Sequence, residues 1–236
     1  MTTNNTPTRW VNNPFTWEKF DTRGRALRHR GSTLISYLVA DSPLYEVCGR
    51  ILDDIHAEGC APDFGLLPLS SMHMTVFPGL KDPSYLNQRE LWPEGIDVDQ
   101  PFTETVQQLR QRLVVADIRA PQHVTMIPKG VYPLHQSLTI EQVPATAADA
   151  AELHRFRTEV AAAFGFPAPV LGEYRFHTSL GYRLTRMTQE SREQSELLEQ
   201  RYSQWVRQAG ATELEPVAFC AFNDMLSFAP ILHFRA

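Results

Sequence analysis

Apolar positions along the chain fall into short runs and helically spaced series that follow one another in a regular order. Residues 32–40 (STLISYLVA) form a mostly apolar run with β-branched and aromatic side chains, which predicts a strand. Ser42-Pro43 comes next, an N-cap with proline at the first helical position. Leu44, Val47, Cys48, Ile51, Leu52 and Ile55 then recur at helical spacing up to Gly59. A second strand is predicted over 71–77, ending at Pro78-Gly79. Residues 81–100 hold Asp82-Pro83, Trp92-Pro93 and Glu94-Gly95 around little periodicity and read as a long surface loop. A helix over about 101–113 follows, then strands near 124–131 and 134–143. A further helix covers 146–164, with Leu153, Phe156, Val160 and Phe164 on one face. Beyond it the pattern predicts a strand over 174–184, a polar helix over 188–209 and closing strands over 214–222 and 225–234. The first twelve residues, rich in Thr, Asn and Pro, predict a loose tail.

The order of elements repeats. Laid on itself with an offset of 104 residues (177 minus 73), the chain places strand on strand and helix on helix. Thr33-Leu34-Ile35 falls on Ser137-Leu138-Thr139, the cap Ser42 on Thr146, Gly59 on Ala163, and His73-Met74-Thr75 on His177-Thr178-Ser179. Few residues are identical, so spacing repeats rather than sequence. The expectation is one α+β domain over 1–236, bilobal, with lobe-forming repeats at 32–79 and 136–184 related by an approximate two-fold axis. Each lobe carries antiparallel sheet plus helices around a central cleft, and the two histidine strands lie side by side at the junction.

Composition narrows the partners. The 236 residues are 43% hydrophobic with a formal charge of −5, which fits a soluble globular protein and argues against a long nucleic-acid duplex as ligand, since such binding rests on neutralised phosphates. A small phosphorylated ligand needs only a local basic pocket. Cys48, Cys60 and Cys220 are odd in number without CxxC spacing, and read as structural thiols in a reducing compartment. No apolar run approaches the roughly 20 residues of a membrane span, and the N-terminus lacks the apolar centre of a signal peptide. A cytoplasmic monomer without membrane contact is the expectation.

The two repeated motifs carry the candidate chemistry. In a strand, residues i and i+2 share a face, so His73 projects with Thr75, and His177 with Arg175, Ser179, Gly181 and Arg183. Two imidazoles suit in-line attack on a cyclic phosphodiester: one takes a proton from the incoming water or hydroxyl, the other gives one to the leaving oxygen. The Thr75 and Ser179 hydroxyls are placed to donate to the non-bridging oxygens. A single His-x-Ser/Thr is weak evidence. Thirty of 236 residues are Ser or Thr, so eight histidines give about one match by chance, and this chain has four. The rivals, His123-Val124-Thr125 and His135-Gln136-Ser137, fall opposite Lys19 and Gly31 in the overlay rather than on a motif strand.

With its paired Met72-His73-Met74-Thr75-Val76 and Phe176-His177-Thr178-Ser179-Leu180 motifs, the chain resembles the two-histidine (2H) phosphoesterase superfamily, which includes LigT-like RNA ligases and cyclic phosphodiesterases. Lys19-Phe20-Asp21, Arg89 with Trp92-Pro93, and the run from His73 to Gly79 look more like a bacterial branch known mainly as a domain of unknown function. The resemblance implies a bilobal α+β fold, hydrolysis of 2′,3′-cyclic or 2′,5′-linked nucleotide or RNA-end phosphodiesters, and neither metal nor other cofactor. Ser179 in place of Thr stays within the family pattern. Arg175 and Arg183 are candidate phosphate ligands by strand parity, with solvation or salt bridging as the alternative. Tyr37 can reach the cleft or sit in the core. Arg89 and Trp92 can clamp or stack on a base from the long loop, or simply pack. The basic run Arg23, Arg25, Arg28, His29, Arg30 steers an anion or is a solvated loop. His56 and Cys60 have i, i+4 spacing but no second pair of ligands nearby. Two alternatives stay open for the whole chain: a nucleotide- or RNA-end-binding module with little catalysis, or 2′,5′ ligation. A metal-dependent hydrolase using His73, His177 and Asp224 is a third.

Overall fold

The computed structural model describes residues 9–85, 89, 92–166 and 174–235. Among these residues nine strands form one curled antiparallel sheet flanked by helices. In chain order the strands are β1 (Gly31–Tyr37), β2 (Phe64–Leu66), β3 (His73–Lys81), β4 (Thr125–Val131), β5 (Ser137–Pro144), β6 (His177–Arg183), β7 (Thr212–Glu213), β8 (Ala218–Phe222) and β9 (Ala229–His233). The helices are α1 (Pro14–Trp17), α2 (Pro43–Ala57), α3 (Phe102–Ala116), α4 (Ala147–Phe164) and α5 (Gln189–Gln208). Strands run β7-β4-β5-β6-β3-β1-β8-β9, with β2 added to β6. The centre of that order lies between β6 and β3, so the two motif strands are neighbours.

The repeat is reproduced in the elements. α2 and α4 begin 104 residues apart (147 minus 43), as do β3 and β6. Both helices start on a hydroxyl cap. Ser42 accepts from the Tyr45 amide at 3.3 Å, and Thr146 accepts from the Asp149 amide at 3.1 Å while the Asp149 carboxylate accepts from the Thr146 amide. Leu44, Cys48, Ile51 and Ile55 of α2 are buried in one core cluster together with Leu198, Tyr202 and Val206 of α5. Val106 and Leu109 of α3 and Phe156, Val160 and Phe164 of α4 fill a second, against Met74, Val76 and Phe77 of β3. Neither cluster is confined to one repeat, because the sheet between them is continuous.

Several elements differ from the sequence pattern. α1, β2 and β7, at four, three and two residues, are too short for any periodicity to announce them. β3 continues through Pro78-Gly79 to Lys81 rather than ending there. Gly79 is what permits this, since a Cβ at that position would lie 2.4 Å from the Ser32 carbonyl oxygen of the neighbouring strand. Of the expected loose tail, residues 1–8 lie outside the described residues, whereas Trp10 bridges Thr185 and the Val11 amide donates to Leu184 at 3.1 Å.

A bulge in each motif strand resets the strand alternation. Along β1, Leu34 pairs with Phe77 and Ile35 with Thr75, which skips Val76. Along β5, Leu138 pairs with Gly181 and Thr139 with Ser179, which skips Leu180. These extra residues are again 104 apart (180 minus 76). Past each one the faces of the strand exchange.

Candidate functional site

Met74 pairs with Thr178 where β3 meets β6, and both side chains are fully buried behind the sheet. Continuing that antiparallel register (residue numbers summing to 252) sets His73 across from Ser179 and Thr75 across from His177. Each imidazole thereby faces the hydroxyl of the other motif, and directly opposed Cβ atoms lie about 5 Å apart. All four side chains line one cleft of about 220 Å³.

The two histidines are held alike. His73 Nδ1 lies 2.6 Å from the Ser71 carbonyl and His177 Nδ1 lies 2.8 Å from the Arg175 carbonyl. A carbonyl only accepts, so in both rings Nδ1 carries the proton and Nε2 is left for the cleft. Their surroundings differ. His73 has Phe228 against it, ring centres 4.3 Å apart, and Tyr37 at 6.2 Å. His177 lies 6.4 Å from both Tyr132 and Tyr174. Desolvation pushes the His73 imidazole down from 6.5 to about 4, with the nearby His177 lowering it further and the Ser71 hydrogen bond opposing.

Tyr174, which strand parity places on the far face with Phe176, lines the cleft instead. β6 begins only at His177, so alternation does not extend back to residue 174. The Tyr174 phenol, raised to about 12 mainly by burial, hydrogen-bonds the Thr75 side chain. Beneath it Arg157 of α4, itself buried, lies 4.3 Å from the ring centre and donates to the Val76 carbonyl at 2.5 Å. That contact fixes the β3 bulge to the helix.

The bulge at Leu180 decides the arginine question. Arg183, expected to share a face with His177, is turned away and buried, paired with the partly exposed Asp63 at 3.3 Å, its Nε donating to the Thr185 carbonyl, and Tyr182 takes its place in the cleft. Arg175 is exposed outside the cleft and contributes its carbonyl rather than its guanidinium. Tyr37 is half-buried and does not line the cleft; its hydroxyl donates to the Phe228 carbonyl at 2.5 Å, which holds the ring that packs on His73. Arg89 pairs with Asp99 on the surface, and Trp92 packs against the second core cluster. Of the basic run, Arg25 pairs with Asp21 and Arg30 with Asp82, and only His29 lines the cleft. The rival His123 lines a separate pocket with Met74, and His135 lies in a groove beside the start of α5. Asp224 accepts from the Leu226 amide in a turn. Among the described residues no group of three or more His, Cys, Asp or Glu is arranged to hold a metal ion, and no helix is long and apolar enough to cross a membrane.

Sequence reading overlooked Lys19 as a cleft residue, together with Tyr174, Tyr182 and Lys81. Lys19 arrives from a segment without periodicity, its Nζ 4.4 Å from the Tyr182 ring centre.

Comparison with known proteins gives the following. Residues 19–136 match a family model named 2H-phosphodiest and described as "Domain of unknown function (DUF1868)". Among solved structures the chain is similar to the conserved protein of unknown function ATU0111 from Agrobacterium tumefaciens str. C58, at 25% identity and a TM-score of 0.80, over 91% of this chain and 90% of that one. No curated protein matches.

Proposed function

The chain belongs to the 2H-phosphodiest family, whose membership suggests phosphodiesterase-type activity, and from that premise we propose that it hydrolyses a cyclic (2′,3′-type) or 2′,5′-linked nucleotide phosphodiester without a metal ion. One observation carries the reading: two imidazoles with the same Nδ1 tether present Nε2 to one cleft, each across from the other motif's hydroxyl.

In the proposed reaction His73, kept neutral by burial, accepts a proton from water through Nε2 as the water oxygen attacks phosphorus. The bond to the ribose oxygen opposite breaks, and that oxygen takes the Nε2 proton of His177, which enters the step as the imidazolium and leaves it neutral. Thr75 and Ser179 donate to the non-bridging oxygens, and the Tyr174–Thr75 hydrogen bond orients the first of these hydroxyls. A phosphomonoester and a free ribose hydroxyl result. In 2′,5′ ligation a 5′-hydroxyl takes the place of the water and opens the cyclic phosphate, with the same two proton transfers.

The test is a panel of 2′,3′-cyclic nucleotides, ADP-ribose cyclic phosphate and 2′,5′-linked oligoadenylates, assayed with EDTA present. At least one member is turned over, and His73→Ala and His177→Ala each lower kcat/KM by about 10²–10⁴ with the circular-dichroism spectrum unchanged. Turnover of none, or turnover indifferent to both substitutions, overturns the reading. Binding without turnover assigns the cleft to a nucleotide-binding module.

A further inference from the structure

The cleft extends beyond the two motifs. Along β3 its wall runs from His73 through Thr75, Pro78 and Gly79 to Lys81. The reaction proposed above occupies only the His73 end. At the other end Lys19, His29 and Lys81 come together.

Three features of that end call for a ligand. The two ammonium groups are close enough for Lys19 to lower the proton affinity of Lys81, after burial, and both lysines act on His29 in the same sense. Such clustering of like charge costs stability unless an anion offsets it. Among the described residues Glu18 stands beside Lys81 and supplies one negative charge against the two positive ones of Lys19 and Lys81, while the neighbouring Arg30–Asp82 pair is neutral in sum. His29 itself is fully buried in the wall, stacked on Tyr85 at 4.4 Å. Neither of its ring nitrogens makes a well-formed hydrogen bond among the described residues, although the Glu18 backbone lies nearby. A buried polar group left in that condition needs an explanation.

We propose that Lys19, Lys81 and His29 form a second anion subsite, and that the substrate carries a further phosphoryl group apart from the phosphodiester held between His73 and His177. The inference rests on the reading above for what occupies the His73 end. It makes the substrate a nucleotide with at least two phosphates rather than a simple cyclic mononucleotide.

Product-like probes test it independently of turnover. Adenosine 3′-phosphate and adenosine 3′,5′-bisphosphate are titrated calorimetrically into the wild type and into Lys19→Met and Lys81→Met, with folding checked by circular dichroism and Lys19→Arg as the charge-conserving control. The bisphosphate binds the wild type at least about tenfold more tightly, as one charge-assisted contact warrants. The gain shrinks severalfold in each Met variant and returns with Lys19→Arg. In the wild type, bisphosphate binding also shifts the His29 imidazole resonances. Equal affinities for the two probes overturn the subsite, even if the cyclic panel is hydrolysed. A retained tenfold gain with no hydrolysis of the panel overturns the proposed reaction and supports the subsite.

Discussion

Burial of an imidazole changes what it contributes at each pH. His29 falls from 6.5 to about 4, first through desolvation and then through the charges of Lys19 and Lys81. Unfolding restores the ordinary value, so between about 6.5 and 4 the unfolded chain binds more protons than the folded one. The stability associated with neutral His29 is therefore complete above about 6.5 and is lost as pH falls through that window. The urea midpoint is expected to drop between pH 7 and pH 5, and to drop less in His29→Phe; an equal drop in both proteins argues against this role. With His73 as the base of the proposed reaction, the same physics places the acid limb of kcat/KM near pH 4. A limb centred near 6.5 would assign the base to another group. The motif residues His73, Thr75, His177 and Ser179 were legible from sequence because i, i+2 parity holds within an unbroken stretch of strand. Arg183 takes the salt-bridged alternative instead of the cleft face because parity is a local rule, and one inserted residue at Leu180 reverses it.

At the scale of elements, the bulges at Val76 and Leu180 are structural devices with a positional consequence. Each turns the strand just past its hydroxyl, so that Pro78 and Tyr182, rather than Phe77 and Arg183, continue the cleft wall. β3 can stay paired beyond its bulge only because Gly79 lets Ser32 approach. Gly79→Ala would place a methyl 2.4 Å from a backbone oxygen, which cannot rotate aside as a side chain can. It is expected to lower unfolding free energy by about 1–3 kcal/mol, measured by urea denaturation, through displacement of β1 from β3. A change within experimental error would mean that the strands relax without cost. From sequence, Pro78-Gly79 reads as a stop because those residues usually end strands. Their role here depends on a neighbouring strand that the local pattern does not contain.

For the molecule as a whole, the sheet order centred on β6 and β3 puts the candidate site at the innermost seam, farthest from either sheet edge. Hydrogen exchange should then be slowest at amides of β1, β3, β5 and β6 and faster in the outer strands β7 and β9, with α2 and α4 protected along with the core they cover. Mass spectrometry of exchanged peptides checks this, and fast exchange in β3 or β6 would show that the seam opens locally. Sequence by itself determined the helices and most strands, because hydrophobic periodicity and hydroxyl caps are local. The offset of 104 residues also placed the two histidine strands together, since equivalent strands of a two-fold repeat meet at its axis. Only the tertiary structure decided which basic side chains reach the cleft. Lys19 and His29 come from stretches without periodicity, Lys81 from beyond an apparent strand end, and Arg175 and Arg183 are carried away from it. Long side chains are placed by packing between segments distant in sequence, whereas the alternation of a strand is written into its own residues.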